Sequence, residues 1–435
     1  MYFIKAAPGL GKTSFWRNQK GVVLGFPSNK LKAEHYEVSE LAGEEKIVTP
    51  DALANFSVPV TKYLSALYEK GLGEFASIEI KKLAKGHSIF DDGDIDERDV
   101  ECAAEYLIKN KLIIDMDGDL SVFTTHIRMI YQSFKQDTYV FDENTFGSLF
   151  EQLKTTVKDI GIVIEHLKIR GIDTSALEDI ININDTDIHT TPDFGNFQYV
   201  IKAIVRGNHF NSNVVKFFQS TSFSIEGGFI HYQINHLSKL PTDKKLIFLD
   251  ATGSETIFEK VFGGRFEMID ISNIELQGTI LQDTSRSCSK MGLDAYHKKI
   301  SAKVGDSTVI TLKEYKKYFK NPDDTLHFGN AVGTNKLEGQ DYCVVGTMSF
   351  HPMYFKFIAD TLMIDCDNFE MEDLKVTYKG RRFLFRTFKN PELQKIHLEQ
   401  VEGELIQCVH RGRLIRTKST VRLFSNFPLF QATYI

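Results

Sequence analysis

Residues 6 to 13 read Ala-Ala-Pro-Gly-Leu-Gly-Lys-Thr and follow a short apolar run, Met1 to Lys5. That run reads as a buried strand, and the segment from Lys12 onward reads as a helix. A strand, a Gly-rich turn, Lys-Thr and a helix form a phosphate cradle. The turn residues Ala7, Pro8, Gly9, Leu10 and Gly11 and the helix start Lys12, Thr13 and Ser14 would line it. Backbone N–H groups would wrap the β-phosphate, Lys12 would reach the β- and γ-phosphates, and the Thr13 hydroxyl would ligate Mg²⁺. Ala6 stands where the first glycine is usual, a modest departure because glycine is required only at positive φ.

Phosphate transfer also needs an acid for the metal and a group that aligns water. The apolar run Thr138 to Phe141 ends in Asp142-Glu143. Active sites of open α/β sheets lie at the carboxyl ends of strands. Asp142 would hold Mg²⁺ through water, and Glu143 would position and deprotonate the attacking water. Asp250 ends a second apolar run, KKLIFLD, and is a rival metal acid. Asp142 is preferred because Glu143 follows it directly. Thr252 instead suits a relay that hydrogen-bonds the acidic pair and senses nucleotide state. Far downstream, Gln407 and Arg411 would share one helical face at i, i+4. Arg411, Arg413 and Arg416 form a basic cluster able to place a guanidinium on the γ-phosphate.

These residues need strands and helices to hold them. The chain has 435 residues, 42% hydrophobic and 25% charged, an ordinary globular composition suggesting two or three domains. A net charge of −6 gives no global basic field, although a local basic groove is compatible with it. Five scattered cysteines without a CxxC pair are expected to be reduced and buried, as in a cytoplasmic protein. With a strand at the very N-terminus, no signal peptide is expected, and no run approaches a membrane span.

GVVLGFP (21–27), SVFTTH (121–126), STVITL (307–312), TLHFGNAVG (325–333), YCVVGTM (342–348) and TVRLFSN (420–426) read as further strands. The stretches at about 50–120 and 151–240 read as helical insertions. Asp91 to Glu97 reads as a solvated loop and helix start, and DMDGD (115–119) as a hairpin turn. A linker is expected near 275–300. The fold class is therefore α/β, with parallel sheets in two lobes, residues 1–275 and 276–435.

Taken in order, the pieces resemble the motif series of superfamily 2 helicases, of a divergent phage or mobile-element type. APGLGKT resembles motif I. Pro27, Ser28, Asn29 and Lys30 resemble motif Ia, which touches the nucleic-acid backbone. Thr125 and His126 resemble the segment before motif II, VFDEN the DE box, and LDAT motif III, with Asp250 and Thr252 in the coupling role. GTNKLEGQD (333–341) resembles motif V, placing Gly339 and Asp341 near the nucleotide and Asn335 near the strand. QCVHRGR resembles motif VI, which supplies Gln407 and arginine fingers. Here His410 replaces the usual glycine and the second arginine is Arg413 rather than residue 414, so Arg411, Arg413 and Arg416 all stay candidates.

The resemblance implies two RecA-like P-loop lobes, with the helical insertions in the first. It implies ATP and Mg²⁺ as cofactors and a single-stranded tract of DNA or RNA crossing both lobes. It also implies replication or recombination proteins as partners, no membrane, and the cytoplasm, the host's if the chain is viral. No adenine-reading glutamine motif is expected before the loop, and no accessory domain after motif VI. The insertions would supply strand-separating or partner contacts. Two other classes compete. One is a packaging-motor ATPase, whose nuclease would need a carboxylate cluster such as Asp360, Asp365 and Asp367. The other is a degenerate nucleic-acid-binding module, against which Lys12, Thr13, Asp142 and Glu143 all stand.

Overall fold

Val22 to Phe26 and Tyr342 to Val345 are buried at every position, without the alternation of a half-exposed strand. Such runs pack in parallel sheets covered on both faces. A computed structural model of the chain describes residues 1–42, 46–90, 96–143, 145–195, 197–210, 212–331, 336–366 and 368–435. In chain order the strands are β1 (Tyr2–Ala6), β2 (Val22–Phe26), β3 (Lys46–Val48), β4 (Ser121–Thr125), β5 (Thr138–Asp142) and β6 (Phe150–Thr156). Next come β7 (His189–Thr190), β8 (Ser222–Glu226), β9 (Phe229–Asn235), β10 (Lys245–Leu249), β11 (Glu267–Ile271) and β12 (Thr279–Asp283). The last six are β13 (Val309–Thr311), β14 (Tyr342–Val345), β15 (Glu372–Tyr378), β16 (Arg381–Thr387), β17 (Thr420–Phe424) and β18 (Thr433–Tyr434). The class is α/β with parallel sheets, as expected.

The chain folds into two compact units. One comprises Met1–Gln19, Val140–Thr145 and Lys245–Ile435, and the other Lys20–Tyr139 and Phe146–Lys244. The first unit holds strands in the order β11-β1-β10-β5 and a second sheet in the order β18-β12-β17-β14-β13. β1 pairs in parallel with both β10 and β11, and every neighbouring pair of the second sheet is parallel. The two arrangements share one connectivity. In each, the opening strand of the block (β1 or β12) lies between the block's last strand and a late strand, with an earlier strand beyond. A long helix, Pro391–Val409, opens on Pro391 after Asn390, whose side chain accepts from the N–H groups of Glu392 and Leu393.

In the second unit, β4 pairs in parallel with β2 and β3. Helices Val58–Glu69, Gly73–Leu83 and Glu97–Asp115 realise the helical reading of 50–120. Asp96 caps the last of these, while Asp91 to Ile95 lie outside the described residues. Residues 151–240 are not purely helical. An antiparallel sheet in the order β6-β9-β8-β7 accompanies the helix Val157–Ile169, because β6 and β9 pair along their whole length.

Three further expectations change. DMDGD joins the helix Glu97–Asp115 to β4, so it is a helix-to-strand turn. The segment 275–300 is no linker, since β12 and the start of the helix Lys290–Val304 fall within it. Residues 325–331 form turns, with Leu326, Phe328 and Ala331 buried as plugs. Cys288, Cys343 and Cys408 are buried, whereas Cys102 and Cys366 are half-buried, and all five are free thiols. Among the described residues, no helix is long and apolar enough to cross a membrane.

One buried side chain stitches the second sheet to the chain end. Gln282 Nε2 donates to the carbonyls of Ser425 and Phe427 at 2.9 and 2.7 Å, and its Oε1 accepts from Leu429 N–H at 2.9 Å. Gln282→Leu strands these backbone groups in the core. Unfolding in urea should show a loss of about 3 kcal/mol or more, given roughly 1–3 kcal/mol per unsatisfied buried group.

Candidate active site

The loop after β1 turns sharply because Gly9 and Gly11 take φ values of 89° and 90°. Side-chain-bearing residues rarely tolerate that conformation. Leu10 N–H closes the turn on the Ala7 carbonyl at 3.2 Å. Ala6, Ala7 and Pro8 are buried beneath it, and Gly11 caps the helix Lys12–Arg17 without a side chain. Lys12 Nζ donates to the Ala6 carbonyl at 3.2 Å, which holds the ammonium over the loop. Ser14 is exposed on the helix start.

β5 lies beside β10, and Glu143 N–H donates to the Leu249 carbonyl at 2.8 Å. Asp142 is only 1% exposed. Thr13 Oγ1 donates to Asp142 Oδ2 at 2.7 Å, joining the loop to the acid strand. Asp142 Oδ1 and Glu143 Oε2 are buried without a hydrogen-bond partner. Burial, then the adjacent Glu143 carboxylate, push the Asp142 pKa up, while Lys12 and Thr13 pull it down. An orphaned hard oxygen beside a threonine hydroxyl suits a Mg²⁺ ion, so Thr13 and Asp142 fit the expected metal. Glu143 has φ 60°, a strained value for a residue with a side chain.

Asp250 differs from Asp142 in its partners. Its Oδ1 accepts from both Thr252 N–H (2.9 Å) and Thr252 Oγ1 (3.1 Å), so the turn that follows β10 absorbs it. Gln407 Nε2 then donates to Thr252 Oγ1 at 2.9 Å. The structure thus brings Asp250, Thr252 and Gln407 into one chain of hydrogen bonds linking the first sheet to the long helix. A Cβ on Gly403 would come within 3.0 Å of the Thr252 carbonyl oxygen, so this close approach needs glycine. Glu399, one turn earlier, accepts from Ser254 and Thr256 hydroxyls. Sequence reasoning missed Glu399 and Gly403. Their spacing from Gln407, at i, i+4 and i+8 of one helix, was the available signal.

The arginines part company. Arg411 is 3% exposed and its Nε donates to the Gln407 carbonyl at 2.8 Å. Arg416 is exposed and pairs with Glu338 at 2.9 Å. Arg413, in the left-handed region at φ 58°, lies against the phosphate loop, its Cδ 3.3 Å from where a Cβ on Gly9 would sit. Burial and the neighbouring Arg411 and Arg416 lower its pKa to about 10, with Glu143 opposing, so it keeps its charge at neutral pH. The turn carrying it is pinned by buried Tyr342, whose hydroxyl lies 2.8 and 2.7 Å from the Cys408 and Val409 carbonyls and accepts from Gly412 N–H at 3.1 Å. His410 is buried, and burial lowers its pKa to about 4, so it adds no charge beside the arginines.

Gly339 N–H donates to the Gly412 carbonyl at 3.1 Å, against the arginine turn. Asp341 Oδ1 instead accepts from Thr420 N–H at 2.6 Å and anchors the start of β17. Asn335 lies outside the described residues. In the second unit, Ser28 caps the helix Asn29–Leu41, Pro27 is half-buried, and Asn29 and Lys30 are exposed. Thr125 caps the helix His126–Tyr131. His126 does not face outward as a strand contact would require. It is 1% exposed, and its ring nitrogens lie 2.8 Å from Ser148 Oγ and 3.1 Å from the Gly25 carbonyl. Asp360 and Asp365 belong to no metal-binding group among the described residues, and Asp367 lies outside them.

A carboxyl whose folded-state pKa is raised stabilises the fold when protonated. That contribution is complete below the ordinary carboxyl range and is lost as pH rises through the raised value. Without metal, wild-type protein should lose thermal stability relative to Asp142→Asn as pH rises across that window. Mg²⁺ must displace the same proton, so its affinity by calorimetry should rise with pH until Asp142 is ionised, while Asp142→Asn shows a weak, flat profile.

No protein-family model matches this chain, and no curated protein matches it.

Proposed function

We propose that the protein is a nucleic-acid-dependent ATPase of the superfamily 2 helicase type, with the two parallel sheets of its first unit acting as RecA-like lobes. The observation that carries this reading is Arg413, in the turn between the long helix and β17, lying against Gly9 of the phosphate loop, within the field of Glu143. A loop that only bound nucleotide would need no such arginine. The shared strand order of the two sheets supports the same reading.

In this reading Lys12 and the loop N–H groups hold the phosphates, and Thr13 and Asp142 would hold a Mg²⁺ ion, whose chemistry would be to offset charge on the phosphoryl group. Glu143, with a buried unpartnered oxygen, orients the attacking water and takes its proton. Arg413 stabilises the transition-state charge, and Gln407 reports on it through Thr252 and Asp250. Hydrolysis would loosen this set and so couple to movement or remodelling of a DNA or RNA strand. The exposed Asn29 and Lys30 suit contact with a phosphate backbone. The packaging-motor alternative lacks a carboxylate cluster among the described residues.

Lys12→Ala and Glu143→Gln should abolish ATP hydrolysis while the protein still folds, as circular dichroism would show. Arg413→Ala should lower kcat by about 10³-fold and spare nucleotide binding. Turnover titrated with single-stranded DNA, duplex DNA and RNA at several salt concentrations tests the strand dependence. Wild-type turnover in the Lys12 and Glu143 variants would end the assignment.

A further inference from the structure

The second sheet has its own cleft, of about 930 Å³, within the roughly 300–1,000 Å³ of ligand pockets. Its walls come from Ser287 after β12, Thr347 and Phe350 after β14, and Asn426 after β17, so it lies at the carboxyl end of the parallel sheet. Strand β16 contributes Phe385 and Arg386. By the shared connectivity, this is where the first sheet places its phosphate loop. The chemistry differs. β14 is followed by Gly346 and Thr347 rather than an acidic pair, and the Thr347 hydroxyl is engaged with Ser425 Oγ at 2.8 Å. That strand end has no counterpart of the Asp142–Glu143 pair.

Four rings, Tyr296, Phe350, Phe369 and Phe385, give it flat apolar surface. Ser287, Asn426 and His397 add neutral polar edges. His397 is 3% exposed and its Nδ1 pairs with Thr387 Oγ1 at 2.9 Å, leaving Nε2 with no hydrogen bond among the described residues. Burial keeps this ring neutral, with its pKa lowered to about 4. Exposed Glu370 and Asp373 also line the cleft and disfavour phosphate inside it, while Arg386 is exposed beside them. Rings with neutral donors and acceptors, under a rim hostile to phosphate, match nucleobases rather than their backbone.

We propose that this cleft receives unstacked bases of a single-stranded nucleic acid, with the phosphates left outside. The inference rests on the strand-dependent reading above and adds a base-sensing step to it. The test uses the full chain and fluorescence anisotropy with labelled oligothymidylate, an abasic strand of equal length, and free dTTP. Phe369→Ala should bind oligothymidylate about fivefold or more weakly, by loss of one stacking face, yet bind the abasic strand like wild type. Phe369→Trp should restore binding. Met291→Glu, at a lining position 78% exposed on the helix Lys290–Val304, should reproduce the selective loss without touching the core. Equal losses on both strands, no loss in either variant, or competition by dTTP that Phe369→Ala abolishes would overturn the proposal. If wild-type protein binds neither strand and its ATPase is not stimulated, the strand-dependent reading falls as well. Stimulation by the strand with unaltered variants sinks the base cleft alone.

Discussion

Everything at the candidate site depends on keeping a carboxylate where water cannot reach it. Asp142 is buried at the end of β5, and one of its oxygens is taken by Thr13 while the other is left open. Burying a charged group without a partner is costly, and the raised pKa of Asp142 reflects that cost. Thr13 and Lys12 reduce it, which ties the phosphate loop to the acid strand before any ligand arrives.

Two sheets of the same connectivity meet around that site, and three contacts from a single helix join them. Glu399 reaches Ser254 and Thr256, Gly403 presses on Thr252, and Gln407 bonds to the Thr252 hydroxyl. These fall on one helical face, so a small rotation of the helix would move all three together. Arg413 follows at the end of the same helix, in a turn held by Tyr342. The contacts to Thr252 and the arginine therefore come from one helix and the turn that follows it. The hydrogen bond from Thr252 to Asp250 continues these contacts to the strand beside β5.

Much of this was legible beforehand. The strands β1, β5 and β10 announce themselves as unbroken apolar runs, and the residues at their ends are the polar ones that chemistry needs. Gly9 and Gly11 mark a turn, since glycine alone enters the positive-φ region without steric cost. Other features were not legible. β6 reads as helix by period, but pairing with β9 overrides a weak local preference. Residues 325–331 carry strand-like apolar residues that pack as plugs. His126 looks like a polar contact beside a strand end, and only packing shows both of its nitrogens facing inward.

By itself the sequence determined which groups are present and which are adjacent along the chain: the loop with Lys12 and Thr13, the Asp142–Glu143 pair and the cluster of three arginines. Local geometry follows from such neighbours, because turns and strand ends are set within a few residues. Tertiary structure alone decided what reaches the two acids that end apolar strands: the Thr13 hydroxyl bonds to Asp142, whereas the turn after β10 takes up Asp250. It also set Arg413, about 400 residues along the chain, against Gly9, while Arg411 bonds to the Gln407 carbonyl and Arg416 pairs with Glu338. That placement lies in how the chain packs a left-handed turn against a glycine, a long-range contact that no local pattern records.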